Sequence, residues 1–335
     1  MATAKKTAKK TSSKAKRSRS AKKMTPAVRY LRYEFANSGT PGTETSHYID
    51  LARDLSRVNR RLYRQGRDYH VKRVTIVSSN TNQNQGADPA AATNVGRVSI
   101  STSPDSWVSR AAWQRGFKMW NKMNDQATDL SNDISGTYHD FKVFLTDAHR
   151  AGIGSQLVPK DNGGNGAQSG EWIYSRVVAP TAGATGNDEY QMHMLGAHNG
   201  SPGSYTSVGL IQSFGDSRAS VSFDDSPDVP AAASDDPLMN LFDDGDTMND
   251  IIGNLEILND TPPYDDLYPG AANMPKPLVV QDTTLGTDGK STVGGFSALC
   301  GLIEIEATSP LANDVYSVLV ELAPGKYRGI KAEVI

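Results

Sequence analysis

The sequence predicts a mainly β fold, an antiparallel β-sandwich or jelly roll with a disordered basic N-terminal arm and one or two helices. Three observations lead there. Short alternating apolar segments, separated by Gly- and Asn-rich loops, fill the chain from about residue 137 onward, as antiparallel sheets require. Only two stretches have convincing helical spacing. The first 23 residues have no core-forming content at all.

The arm, residues 1–23, contains "KKTAKKTSSKAKRSRSAKK". Its ten basic residues are Lys5, Lys6, Lys9, Lys10, Lys14, Lys16, Arg17, Arg19, Lys22 and Lys23, and it holds no acid. The spacers are Ala, Ser and Thr, so the segment buries too little apolar surface to offset its chain entropy. Such a tail meets a polyanion: nucleic acid first, an anionic surface second. The whole chain has a formal charge of −2, but the remaining 25 basic and 37 acidic residues leave the body at −12. An arm that binds a polyanion is tethered to a body that repels one.

Residues 24–66 read as an irregular connector followed by an Arg-bearing helix. Leu51, Leu55, Val58 and Leu62 recur along one helical face, and Gly66 ends the pattern. Arg53, Arg57, Arg60 and Arg64 repeat at the same spacing beside Arg61. They predict either a solvated face paired with Asp50 and Asp54 or a second phosphate-binding surface, for which the guanidinium fork is suited. "YHVKRVTIVSS" then alternates as a strand.

The body spans residues 67–335. In "SPDSWVSRAAWQRGFKMWNKMNDQ", Ser103-Pro104-Asp105 offers a cap, and Trp113, Phe117, Trp120 and Asn124 share one helix face. A helix seated on a sheet by its aromatics is a commoner use of that stripe than base stacking. Strands are predicted in "YHDFKVFLT", "EWIYSRVVA", "EYQMHMLGA", "YTSVGLIQSF", "STVGGFSALCGLIEIEAT" and "DVYSVLVELAPGKYRGIKAEVI". Residues 219–275 contain thirteen acidic residues and no Lys or Arg, so they predict an acidic surface insertion or projection. Asp224, Asp225, Asp243, Asp244 and Asp246 supply the hard oxygen ligands calcium requires, although "DDGDTMND" lacks EF-hand spacing. A solvated acidic surface accounts for the same residues.

The single cysteine, Cys300, excludes an internal disulfide framework and predicts a buried thiol. The six histidines form no HExxH or other familiar ligand spacing. "GDS" at 215–217 lacks a nucleophile elbow, and "KDNGGNGAQSG" lacks a P-loop ending. No motif points to catalysis or an organic cofactor, and no run is long enough for an apolar membrane span.

The basic arm, the segment "DLSRVNRRLYRQGRDYHVKRVTI" and the large β-rich body together resemble the capsid proteins of small icosahedral viruses. The resemblance is to those of circular single-stranded DNA viruses that replicate by rolling circle, of the bacilladnavirus or smacovirus kind. It implies a single jelly roll, self-assembly into a shell in the virion, and arms turned inward on the genome; "KAKRSRSAKK" would also serve for entry into a host nucleus. On that resemblance, genome contact falls to the ten arm residues and to Arg53, Arg57, Arg60, Arg61 and Arg64. A cellular architectural DNA-binding protein with a histone-like tail explains the arm equally well. A carbohydrate-binding β-sandwich is a further reading, for which Trp172 and Tyr174 would have to be exposed.

Overall fold

In "YLRYEFA" the side chains of Leu31, Tyr33 and Phe35 are buried while Tyr30, Arg32, Glu34 and Ala36 face outward, the period of two that makes strand β1 (Tyr30–Ala36). Strand β2 (Thr45–Asp50) follows, and Asp50 caps helix α1 (Leu51–Asn59) by accepting from the Arg53 amide at 3.0 Å. Residues 24–66 are therefore not mainly an irregular connector. They supply two strands of the principal sheets, and the Pro41–Gly42 signals mark only the turn between them. Strands β3 (Arg67–Ser78) and β4 (Arg97–Thr102) come next. The computed structural model describes residues 26–78, 96–131, 139–168, 172–180, 187–200, 205–217, 269–272, 274–285 and 289–335.

A long excursion separates β4 from the next principal strand. It contains α2 (Trp107–Ser131), β5 (Phe144–Thr146), α3 (Asp147–Ala151), β6 (Ser155–Gln156), β7 (Arg176–Pro180), β8 (Asn187–Leu195), β9 (Ser207–Gly209) and α4 (Leu210–Asp216). Four helices rather than one or two are thus present among the described residues. The strand expected across "YTSVGLIQSF" is instead β9 followed by α4. The change comes at Gly209, where a Cβ would lie 2.1 Å from the Gly196 carbonyl oxygen, so β9 can approach the end of β8 only through glycine.

The remaining strands are β10 (Leu278–Thr284), β11 (Lys290–Val293), β12 (Phe296–Leu299), β13 (Leu302–Thr308), β14 (Val315–Leu322), β15 (Pro324–Gly325), β16 (Gly329–Ile330) and β17 (Ala332–Val334). One antiparallel sheet runs β1-β14-β3-β11, with β12 and β17 also paired to β3. The second runs β10-β4-β13-β2-β6, antiparallel except for the short β2–β6 pair. The fold is mainly β, with curled antiparallel sheets. Both principal sheets bury apolar faces in one core: Leu31, Tyr33, Val74, Ile76 and Val318 from the first, Ile49, Ile100, Ile303 and Ile305 from the second.

The excursion builds a small sheet, β5-β8-β7 with β9, and a second core on the outside of the five-stranded sheet. Trp113 and Trp120 are buried there with Phe117 beside them, around the fully buried Phe141. Tyr48, Leu299, Cys300 and Leu302 are the contribution of the principal sheets. Cys300 and Gly301, both at positive φ (59° and 70°), turn the chain from β12 of the first sheet into β13 of the second. A Cβ at Gly301 would sit 3.0 Å from the Tyr69 ring. No helix among the described residues is long and apolar enough to cross a membrane.

Truncating Phe141 to Ala removes the ring on which the three α2 aromatics converge. We expect a loss of about 3–5 kcal/mol in urea unfolding, with the excursion affected before the two-sheet core.

Candidate nucleic-acid interface

Helix α1 ends one turn earlier than its apolar spacing suggests, because Arg60 takes the left-handed conformation at φ 54°. The predicted arginine stripe is therefore broken, and its members have separate fates. Arg53 faces inward, 2% exposed. Its Nε donates to Asp54 Oδ1 at 2.8 Å and its Nη2 to the Leu157 carbonyl. Asp54 also accepts from the Tyr33 hydroxyl at 2.7 Å. An assignment of Arg53 to phosphate contact is corrected on this ground: its donors and its charge are consumed inside the protein. Nearby, Asp50 accepts from Gln65 Nε2 at 2.9 Å and the Tyr174 hydroxyl at 3.2 Å, and burial raises its pKa to about 6.

Arg57 is half-buried; burial, reinforced by the Arg53 charge, lowers its pKa. Arg60 and Arg61 are exposed. Arg64 is exposed too, but its Nη1 is held by Asp140 Oδ1 at 2.8 Å.

What the broken helix does instead is bring cations to the root of the arm. The last residue of α1, Asn59, binds Val28 twice: Oδ1 accepts from the Val28 amide at 2.8 Å and Nδ2 donates to the Val28 carbonyl at 3.1 Å. Val28, near the start of the described residues, is thus held against the end of α1, next in sequence to Arg60 and Arg61. From the other end of the chain, the β15–β16 turn packs onto the same segment. The Tyr63 hydroxyl donates to the Arg328 carbonyl at 3.0 Å, Arg328 Nη1 donates to the Leu62 carbonyl, and the Arg64 amide donates to the Tyr327 hydroxyl at 3.0 Å. The Arg67 guanidinium lies 3.7 Å from the Tyr327 ring centroid. Lys326, Arg328 and Lys331 are exposed. The result is a collar of Arg60, Arg61, Arg64, Arg67, Lys326 and Arg328, with Arg29 at its edge.

A β-bulge opposite Glu321–Leu322 extends the collar. It turns both Lys72 and Arg73 toward Glu321, each bonded to it at 2.7 Å. Those two bonds hold the Glu321 carboxyl below the usual range. One carboxylate between two lysine- and arginine-borne charges leaves this corner positive. Lys326, Arg328 and Arg67 were not singled out from the sequence; the signal available was "PGKYRGIK", three cations without an acid, read there only as strand.

The ten arm residues lie outside the described residues, as do Asp224, Asp225, Asp243, Asp244 and Asp246. Of the acidic span 219–275, residues 269–272 and 274–275 are described. There Ala271 joins the second core and Gly270 accepts from the Gly196 amide at 2.7 Å. Among the described residues no three His, Cys, Asp or Glu side chains are grouped to hold a metal. Tyr174 stacks on Phe144 with centroids 3.8 Å apart, and Trp172 packs against the main core, so neither offers a sugar platform. The chain matches no protein-family model, no curated protein and no solved structure.

Two substitution sets separate the collar from the buried network. R60E/R61E/K326E places three reversals on exposed side chains, where stability changes stay within about 0.5 kcal/mol. It is expected to weaken single-strand binding and to reduce the salt slope of log K by about 2, read by fluorescence anisotropy across a salt series. Arg53→Ala instead strands a buried carboxylate and is expected to lower stability by about 3–5 kcal/mol in thermal or urea unfolding.

Proposed function

We propose that this chain is a coat protein that assembles into a closed shell and holds nucleic acid inside it through its arm and collar. The observation that carries the reading is that the first described residues, next in sequence to the unopposed basic arm, are held beside a collar of further cations. That placement suits arm and collar to binding one polyanion. Strand order supports the shell-forming part. The principal strands divide as β1-β14-β3-β11 on one side and β10-β4-β13-β2 on the other. A single jelly roll of two Greek keys is the reading this order supports.

In this reading the partners are further copies of the chain and a single-stranded genome, DNA by the family resemblance, and the protein resides in the virion. The chain is not an enzyme. An extended arm of 23 residues reaches about 75–80 Å, enough to follow a strand well away from its own collar. The acidity of the span 219–275 is unsuited to contact with the packaged strand.

Electron microscopy of the full-length protein near physiological salt, alone and with single-stranded DNA, tests the proposal. Uniform closed particles are expected. Monomers or dimers in both conditions would favour an architectural DNA-binding protein. A chain lacking residues 2–23 is expected to keep its circular dichroism spectrum and lose nucleic-acid uptake. Full, salt-sensitive binding by that chain would move the whole activity to the collar.

A further inference from the structure

Three histidines are buried near the joint between the principal sheets and the excursion. Only His149 spans it, its ring stacked 4.5 Å from that of Tyr48 on β2; His193 bonds within the excursion and His47 faces the main core. His47 of β2, His149 of α3 and His193 of β8 are 6%, 4% and 0% exposed. Beside them, between the five-stranded sheet and the β5–α3 corner, lies a cavity of about 810 Å³ whose walls include His47, Tyr48, Asp147, Glu304 and Glu306. The joint is therefore sealed at its rings and loosely filled next to them.

Hydrogen-bond geometry makes the His149 and His193 rings intolerant of a second proton. His149 Nδ1 accepts from the Leu145 amide at 3.2 Å, which places the ring proton on Nε2, a buried atom with no partner. Protonating Nδ1 would set two N–H groups against each other and break the bond that fixes α3 to β5. His193 Nε2 lies 3.1 Å from the Ala197 carbonyl and donates to it, while the buried Nδ1 has no acceptor to receive a new N–H. His47 bonds Ser155 Oγ at 2.6 Å and Thr45 Oγ1 at 3.2 Å, with its ring stacked 4.0 Å from Phe35.

The facing charges do not rescue the imidazolium forms. Arg53 of α1 repels a proton on His149, whose other neighbours are the rings of Tyr48, Phe144 and Tyr174. Asp147 faces His193, but its carboxylate already accepts from Arg150, Asn199 and Ser207, and Arg150 and His198 oppose it. Around His47 burial alone acts; Glu304 and Glu306 lie on the opposite face of β13. Burial accordingly lowers His47 and His193 to about 4, and His149 to about 3.

The sign of the linkage follows. Histidines depressed in the folded state stabilise it fully above their unfolded pKa of about 6.5, and that stability is lost as pH falls toward the folded values. Asp50, raised to about 6 by burial within the α1 network, has the opposite sign: folding there gains as pH falls from 6 toward the unfolded carboxylate value. Acid thus weakens the joint while favouring the neighbouring network that binds α1 to the two sheets.

We propose that this joint is an acid-released latch: protonation of His149, with His193 behind it, frees the β5–α3 corner from Tyr48 of the five-stranded sheet while the two principal sheets remain folded. Opening admits water through the adjacent cavity and exposes the apolar Tyr48, Leu299 and Leu302 surface beneath.

Three of the four tryptophans, Trp107, Trp113 and Trp120, lie on α2 of the excursion, and Trp172 packs against the main core. A red shift of the emission therefore reports chiefly on the excursion. In the full-length protein titrated from pH 7.5 to 4, a red shift of emission is expected while the far-ultraviolet β signal persists. H149N/H193Q keeps the Leu145 acceptor and the Ala197 donor but cannot gain a proton. It is expected to move the red-shift midpoint down by at least about one pH unit. An unchanged midpoint, or loss of the β signal together with the red shift, would overturn the latch. If the double variant does not fold, histidine NMR titration of the unmodified protein decides. His149 and His193 protonating only with the red shift supports the latch; protonation near 6.5 without any emission change refutes it.

Discussion

The Arg53–Asp54 ion pair is a charge pair taken wholly out of water, which is stable only if every donor and acceptor around it is satisfied. Asp54 therefore draws the Tyr33 hydroxyl of β1, and Arg53 draws the Leu157 carbonyl beyond β6. Asp50, one helical turn away, draws Gln65 and Tyr174. Through these bonds α1 is tied to both principal sheets and to the segments flanking the excursion.

The position of the collar depends on that fixture. Because α1 is held inward by Arg53, its next turn emerges at the surface with Asn59 against Val28 and with Arg60 and Arg61 beside the arm root. The β15–β16 turn completes the surface from more than 260 residues away through Tyr63 and Arg328. Like charges are brought together here at an electrostatic cost in the free protein. A surface built this way is most stable when a polyanion lies across it, which is the physical link between the fold and the proposed role.

Legibility in the sequence followed how local each cause is. The α2 aromatic stripe was readable because spacing alone turns Trp113, Phe117 and Trp120 to one side, whatever they pack against. The alternation of β13 and β14 was readable for the same reason. In contrast, "YLRYEFA" alternates perfectly yet sits among Pro and Gly turn signals, and these obscured β1 and β2. Leu210 and Ile211 suit strand or helix equally; the Gly196–Gly209 contact made the choice. Arg53 and Arg60 have the same side chain, four and three residues from Arg57, and only burial distinguishes a structural ion from a surface cation.

By itself the sequence determined a charge-segregated chain: a basic arm without core residues, an acid-rich body and a mainly β pattern of strands. Those properties belong to composition and short-range periodicity, and they survive any arrangement of the strands. The tertiary structure decided which strands are neighbours, where α1 stops, and which cations surround the arm root. It also decided that His149 is sealed against the ring of Tyr48, far away in the chain. Such facts depend on burial and on bonds between residues distant in sequence, and neither is written in any short stretch of it.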